Sequence, residues 1–328
     1  MVYGKKESLY LIYKVLEEYT DEEHYLSQKD IINKIYDKYG LLLERKSIAS
    51  NIETLIELDF DIVQVKGKGY ALYERLLEDE EIKYIVDAIF SSKSLSGREA
   101  LSISKKLGRI QSKYKRRQYD YIYKGQSVNR TDKNNMLSIE IISEAIEENK
   151  KISFQYIEYG EDGKPRVRHD GYRFVVSPYY LINNNGRYYL FSNYKTKYST
   201  VQNYRIDYMV DVRKEAEDRV PLSSLDGMQN FDIAKYINEH VYLFSSEVIT
   251  AKVRILKRYG IQYIYDFFGT DIKIHKDNES LYCYIKASSD ALFYWIVQFS
   301  SVLKVEEPKE FVLRIKEFFI EQANKYNN

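Results

Sequence analysis

The sequence predicts an α+β chain divided into several domains, on three observations. Its 328 residues exceed what one ordinary core holds, so two or three domains are expected. Its first part carries three stretches of helical apolar spacing and then a short hairpin pattern. Its middle carries two β-rich runs around an Asn-Gly turn, the strongest short-range hairpin signal, and its last part mixes alternating strands with apolar helical stretches.

The segment 1–76 reads as helix, helix, helix, hairpin. Leu9, Ile12, Tyr13 and Leu16 share one face of a helix from about Glu7 to Tyr19. Ser27 is suited to cap a second helix that ends at Gly40 and buries Ile31, Ile32, Ile35 and Tyr39. A third helix, about Glu44 to Leu58, buries Ile48, Ile52, Leu55 and Ile56. Its other face begins Arg45-Lys46-Ser47 and continues Ala49-Ser50-Asn51. Phe60 to Val65, the basic turn Lys66-Gly67-Lys68-Gly69 and Tyr70 to Leu72 close the hairpin.

Residues 77–133 read as a helical linker and dimerisation region. Two helices are expected between Glu78 and about Tyr119, parted near Ser94–Gly97, the first with Ile82, Ile85, Val86 and Ile89 on one face. Twelve basic residues face three acidic ones between 93 and 133. Seven of the twelve, with no acid among them, are expected on a basic helix over 105–117. That helix would run beside DNA phosphates or cover an acidic partner surface, although charge runs are usually solvated faces.

The polar run 129–135 marks a boundary, and a helix from Leu137 to Glu148 and a strand over Ile152–Tyr156 open the domain 134–220. After the turn-rich loop Gly160–Pro165 come Ser177-Pro178-Tyr179-Tyr180-Leu181-Ile182, the turn Asn183–Gly186 and Arg187-Tyr188-Tyr189-Leu190-Phe191. In the run Asn203–Met209, a period of two sets Arg205 and Asp207 opposite Tyr204, Ile206 and Tyr208. A small sheet presenting arginines with aromatics is suited to an anion or a nucleotide. Pro221–Gln229 reads as a second linker. Beyond it come strands at Ile249–Ile255 and Leu281–Ile285, the apolar stretch Phe293–Phe299, and a helix that follows Pro308 and runs through Phe318.

Three short motifs, Pro178-Tyr179-x-Leu181, Tyr188-Tyr189-Leu190 and Tyr204-Arg205-x-Asp207, resemble those of the WYL domain, named for a Trp-Tyr-Leu triplet. That family usually has a second arginine after the aspartate, where this chain has Tyr208. Arg45-Lys46-Ser47-Ile48, Asn51-Ile52-Glu53 and Gly67-x-Gly69-Tyr70 resemble the winged helix-turn-helix that commonly precedes WYL domains. The order of elements over 221–328 resembles the WCX-type extension that follows many of them. The resemblance implies a winged helix-turn-helix, a helical linker, a small, strongly bent, Sm-like sheet and a C-terminal α/β extension. It also implies that the middle domain senses a nucleic-acid fragment or nucleotide-like anion.

A helix fits the major groove, its N-terminal residues reach base edges, and a basic wing contacts phosphate. Ser47, Ser50 and Asn51 are therefore assigned to base or groove contacts, and Arg45, Lys46, Lys66 and Lys68 mainly to phosphates. The plain alternative is a scaffold with a solvated polar face, since residues 1–76 carry 11 basic and 14 acidic residues, net −3. Non-specific affinity should accordingly be modest and strongly salt-dependent.

Ligand candidates in the middle domain are Tyr156, Arg166, Arg168, His169, Arg173, Tyr179, Arg187, Tyr189 and Arg205. The planar guanidinium fork donates two hydrogen bonds at once to a phosphate, and rings stack on bases. Each also has a structural reading. Tyr179 and Tyr189 fit a core, Arg187 follows a turn, Arg205 can pair with Asp207, and His169 fits a surface loop.

Overall charge is balanced, 50 basic against 49 acidic residues, so no global field advertises nucleic acid. The single cysteine, Cys283, excludes an internal disulfide framework, fits a reducing compartment and lies in an alternating run where packing explains it. Met1–Lys6 has no apolar signal core and Ala291–Leu303 is too short for a bilayer, so a cytoplasmic protein with no membrane partner is expected. The four histidines lack metal-type spacing partners and no phosphate-binding glycine loop is present, so neither an enzyme nor a cofactor is expected. The reading is a homodimeric transcriptional regulator that binds double-stranded DNA, because paired half-sites multiply modest affinities. The alternative is an accessory nucleic-acid-binding protein, with a single strand among its partners, that regulates a nuclease or defence complex.

Overall fold

The computed structural model describes residues 5–116, 135–194, 201–277 and 280–326, which belong to two compact units, 1–133 and 134–328.

In the first unit α1 (Lys5–Tyr19), α2 (Gln28–Tyr39) and α3 (Arg45–Glu57) precede a hairpin of β1 (Ile62–Val65) and β2 (Gly69–Leu72). Ile12, Val15 and Leu16 of α1 pack with Ile31 and Ile35 of α2 and with Ile48, Ile52 and Leu55 of α3. Ser27 and Asp30 cap α2 reciprocally, and Gly40 ends it at φ 67°, in the left-handed region. The expected burial of Ile56 is not found: Ile48, Ile52 and Leu55 hold one face, and Ile56, a further 100° round the helix, is exposed. The residue before the α2 cap, Leu26, joins the hairpin through two 2.9 Å backbone bonds with Tyr70. Gly69 makes that approach possible. It has φ 122°, and a Cβ there would lie 2.2 Å from the Leu26 carbonyl oxygen.

Helices α4 (Asp79–Ser91) and α5 (Gly97–Leu107) form a small core of their own from Ile82, Val86, Phe90 and Ala100. Ile85 is on the exposed side, because the buried stripe steps by four through 82, 86 and 90. The basic helix expected over 105–117 stops at Leu107. A 3₁₀ turn at Gly108–Ile110 follows, and the described chain to residue 116 is held by a backbone bond from Lys113 to the Glu18 carbonyl (2.9 Å) and by side chains rather than by a continued α-helix. Gln111 donates to the Leu77 carbonyl at 2.9 Å, and the Ser112 hydroxyl donates to the buried Asp21 carboxylate at 2.6 Å. Tyr114 stacks on His24 at 3.6 Å, and Lys115 bridges Glu22 (2.9 Å) and Asp79 (2.7 Å). This staple fixes residues 111–116 on the corner between α1 and α2.

In the second unit α6 (Asn135–Glu147) lies on a six-stranded antiparallel sheet. Its strands are β3 (Lys150–Tyr159), β4 (Pro165–Val167), β5 (Arg173–Asn184), β6 (Arg187–Tyr194), β7 (Val201–Arg205) and β8 (Met209–Asp218). The order is β4-β3-β5-β6-β7, with β8 also paired to β3. Register shifts along β3–β8 and at Pro178/Tyr180 bend the strands. The β5–β6 turn has Asn185 at φ 51° and Gly186 at φ 75°, both positive as a two-residue type I′ turn requires.

One sheet face buries Phe154, Val176 and Leu190 against Ile142 and Ala145 of α6. The other buries Tyr179, Ile182, Phe191 and Val201 against Leu225, Tyr236 and Leu243. The stretch 221–229, read from its turn-forming residues as a linker, is thus anchored through Leu225, and α7 (Ile233–Glu239) covers the same face.

The C-terminal part is a four-stranded antiparallel sheet, order β10-β11-β9-β12, made by β9 (Val248–Ile255), β10 (His275–Asp277), β11 (Ser280–Ser288) and β12 (Leu303–Glu307). With it pack α8 (Gly260–Phe268), α9 (Ser289–Phe299) and α10 (Lys309–Lys325) around a fully buried Trp295. Glu306 belongs to β12, where it pairs with Arg254 and Lys252. Cys283 is buried, and burial pushes its thiol pKa up to about 12. Among the described residues no helix is long and apolar enough to cross a membrane.

Candidate nucleic-acid interface and anion site

The first turn of α3 and the β1–β2 turn expose cations on one side of the first unit. Arg45, Lys46, Lys66 and Lys68 are exposed. Arg45 Nε donates to Gln28 Oε1 at 2.8 Å, and Gln28 Nε2 reaches the Tyr70 hydroxyl at 3.4 Å. Gln28 therefore ties the start of α3 to the hairpin through the start of α2. A cleft of about 730 Å³ lies between these elements, lined by Ser27–Lys29, Arg45 and Gln64–Tyr70. Lys68 Nζ sits 5.2 Å above the Tyr25 ring. Further along α3 the exposed Glu53 and Glu57 repel phosphate, so its first turn is the end that suits DNA.

The polar residues of α3 divide. Ser50 is exposed. Asn51 faces inward, its amide donating to the Ser47 carbonyl (2.7 Å), to Ser47 Oγ (3.1 Å) and to the buried Ser8 hydroxyl (3.4 Å). Ser47 and Asn51 thus satisfy one another and α1, which leaves Ser50 as the uncommitted side chain of the three.

In the second unit the strand β7 ends at Arg205, and Ile206–Tyr208 form a 3₁₀ turn. That turn overrides the period of two and brings Asp207 back onto Arg205. Arg205 Nε lies 3.0 Å from Asp207 Oδ1 and Nη2 lies 2.6 Å from Oδ2. The guanidinium also stacks 4.1 Å over the Tyr208 ring. The backbone N–H of Arg205 donates to the Tyr156 hydroxyl at 3.2 Å. Tyr156 is 5.7 Å from Tyr208, and Tyr159 is 6.3 Å from it. Burial pushes the Tyr156 phenol up to about 12. Burial, the largest single influence, would lower the Arg205 pKa, but the hydrogen bond and the charge of Asp207 together outweigh it and the net shift is upward. Tyr189 is the cross-strand partner of Arg205.

The other candidates are spread out. Tyr179 is buried on the opposite sheet face, its hydroxyl donating to the Val220 carbonyl at 2.8 Å. Arg173 donates to Ser153 Oγ (3.0 Å), to the Asp211 carbonyl (2.9 Å) and to the Asp211 carboxylate, which stitches β5 to β8. Arg166 pairs with Asp162 at 3.2 Å and Arg168 with Glu158 at 3.1 Å. His169 is exposed at φ 51°. Arg187 is half-buried, and its Nε has no hydrogen-bond partner among the described residues. The structure thus gathers Tyr156, Tyr189 and Arg205. Spacing did not single out Tyr159, although Tyr208 was visible as the residue in the place of a second arginine.

Residues 138–214 match the family model of the WYL domain. The WYL segment therefore runs from α6 into β8 and includes Tyr156, Arg205 and Tyr208. No curated protein matches the chain. Similar solved structures include proteasome accessory factor B/C (PafBC) of Arthrobacter aurescens, at 15% identity and TM-score 0.29 over 98% of this chain and 49% of that one. Another is a CRISPR Cas-related protein, at 14% identity and TM-score 0.39 over 98% of this chain and 84% of that one. The chain spans about half the length of the PafBC structure.

Proposed function

We propose that this protein is a DNA-binding transcription regulator whose WYL segment senses a nucleic-acid fragment or nucleotide-like anion. In this reading residues 1–76 are a winged helix-turn-helix, with the first turn of α3 entering the major groove of double-stranded DNA and the β1–β2 turn acting as the wing, and residues 77–133 are a helical linker and dimerisation region. Arg45, Lys46, Lys66 and Lys68 contact phosphates and Ser50 faces the groove. The sensor is a bent Sm-like sheet followed by a WCX-type extension. The protein acts as a cytoplasmic homodimer without a cofactor and without catalysing a reaction.

One observation carries the ligand reading. Within the WYL segment, Arg205 is held over Tyr208 and beside Tyr156, a guanidinium and ring pair of the kind that takes a phosphate and a base together. A ligand shifts DNA affinity only by binding two arrangements of the protein unequally.

Titration of the full chain with short fluorescent single-stranded oligonucleotides, read by anisotropy, tests the sensor. Saturable binding that Arg205→Ala weakens about tenfold or more supports it; no binding by the wild type overturns it. Selection of duplexes from a random pool tests the reader. Enrichment lost in Arg45→Ala/Lys46→Ala is the expected result.

A further inference from the structure

We propose that a cleft beneath α7 is a second ligand site, for a small alkyl di- or polyamine. It has a volume of about 490 Å³ and lies between α7, the 226–232 segment that precedes it, and the start of β9. It is separate from the Arg205 cluster, and its chemistry is the reverse.

The most buried polar side chain in its lining is His240, which is more than nine-tenths buried and stacks on Tyr236 at 3.9 Å. His240 Nδ1 lies 2.9 Å from the Tyr236 carbonyl, which can only accept, so Nδ1 carries the proton. Nε2 is then an acceptor in the neutral ring, with no hydrogen-bond partner among the described residues, and His240 lines the cleft. Burial lowers the His240 pKa and keeps that form.

Around it the charges are mostly acidic. Asp226, Asp232, Glu239 and Glu247 line the cleft against Lys235. Two of these carboxylates are committed, Asp232 to the backbone N–H groups of Ala234 and Lys235, and Glu239 to Lys286 at 2.8 Å. The Asp226 and Glu247 carboxylates have no hydrogen-bond or ion-pair partner among the described residues. Phe231 and Tyr236 supply aromatic walls.

The frame is rigid. Ser246 Oγ accepts from the Asp290 N–H at 3.0 Å, and the Glu247 carbonyl accepts from Ser289 at 2.8 Å. Separated acceptors, two of them anionic, between aromatic walls suit a chain with an ammonium at each end: charge selects the cation, and Nε2 can accept from one of its N–H groups.

The site also touches the sensor sheet. Phe231 stacks on Phe191 at 4.8 Å, and Tyr236 meets the same ring at 4.9 Å.

Calorimetry on the full chain at fixed ionic strength, with spermidine as probe and butane-1,4-diol as the uncharged control, tests the assignment. Spermidine should bind at one site per chain and the diol should not. Asp226→Asn/Glu247→Gln, both exposed and safe for folding, should weaken spermidine about tenfold, and Lys235→Gln should tighten it a few-fold. Equal binding of the diol, unchanged affinity in the double variant, or weaker binding in Lys235→Gln overturns the proposal.

Discussion

Asp207 closes on Arg205 with both carboxylate oxygens, while Tyr208 lies 4.1 Å beneath the same guanidinium. The fork that would grip a phosphate is already gripped by its neighbour two residues away. In the proposed sensor an incoming anion would have to displace a carboxylate whose side chain is only 18% exposed, so the protein itself competes for this fork.

Asp207→Asn should therefore tighten oligonucleotide binding, by about three- to tenfold given the partial exposure of the pair. Anisotropy titration of the full chain checks this, and weaker binding would show that Asp207 positions Arg205 rather than competing for it.

The Asp21 staple should confer a pH dependence on the stability of the first unit. Burial alone would raise the Asp21 pKa, but hydrogen bonds from Ser112 and His24 outweigh it and the net shift is downward. A depressed carboxylate stabilises the fold above its unfolded value, near 3.8, and that contribution is lost as pH falls through the folded value. Ser112→Ala should cost about 1–2 kcal/mol at pH 7 and progressively less in acid. Urea unfolding at pH 7 and at successively lower pH measures the difference.

Gly69→Ala combines a positive φ with a Cβ pressed on the Leu26 carbonyl. A loss of about 2 kcal/mol or more is expected, with the hairpin drawn away from the start of α2. Thermal unfolding gives the magnitude, and accelerated hydrogen exchange at the Leu26 and Tyr70 amides would locate it.

Lys66→Ala and Lys68→Ala should each reduce the salt dependence of duplex binding by about one unit of slope, uniformly across sequences. Asn51→Ala should leave that slope unchanged and cost about 1 kcal/mol of stability, because its amide bonds within the fold. Binding isotherms between low and physiological salt separate the two classes.

The Cys283 thiol, buried and raised to about 12, should react with a thiol reagent only on unfolding. Its labelling rate should track the unfolding of the C-terminal sheet across a denaturant series.

Local signals in the sequence were sufficient where local physics decides. Ser27 and Gly40 mark the ends of α2, and Asn185-Gly186 dictates the turn of its hairpin. Signals failed where distant groups decide. The basic run after Lys105 looked helical by composition, yet Gln111, Ser112 and Lys115 find partners on Leu77, Asp21, Glu22 and Asp79 that no spacing reveals.

The stretch 221–229 looked like a linker because its turn-forming residues are visible and the sheet that Leu225 packs on is not. Much the same holds for the candidate sites. Residue type pointed to Arg205 and allowed its pairing with Asp207, but the two-oxygen grip follows from the 3₁₀ turn that ends β7, and nothing in the spacing shows Asn51 committed to Ser47 of its own helix and to Ser8 of α1.

If the protein works as proposed, the staple at residues 111–116 would decide where a mechanical signal enters the first unit. A tug arriving along the backbone at residue 116 is not dissipated in a loose tail, because that segment is riveted to the α1–α2 corner by Ser112, Tyr114 and Lys115. It is delivered there, one short loop upstream of Leu26 and the hairpin strand that Leu26 joins.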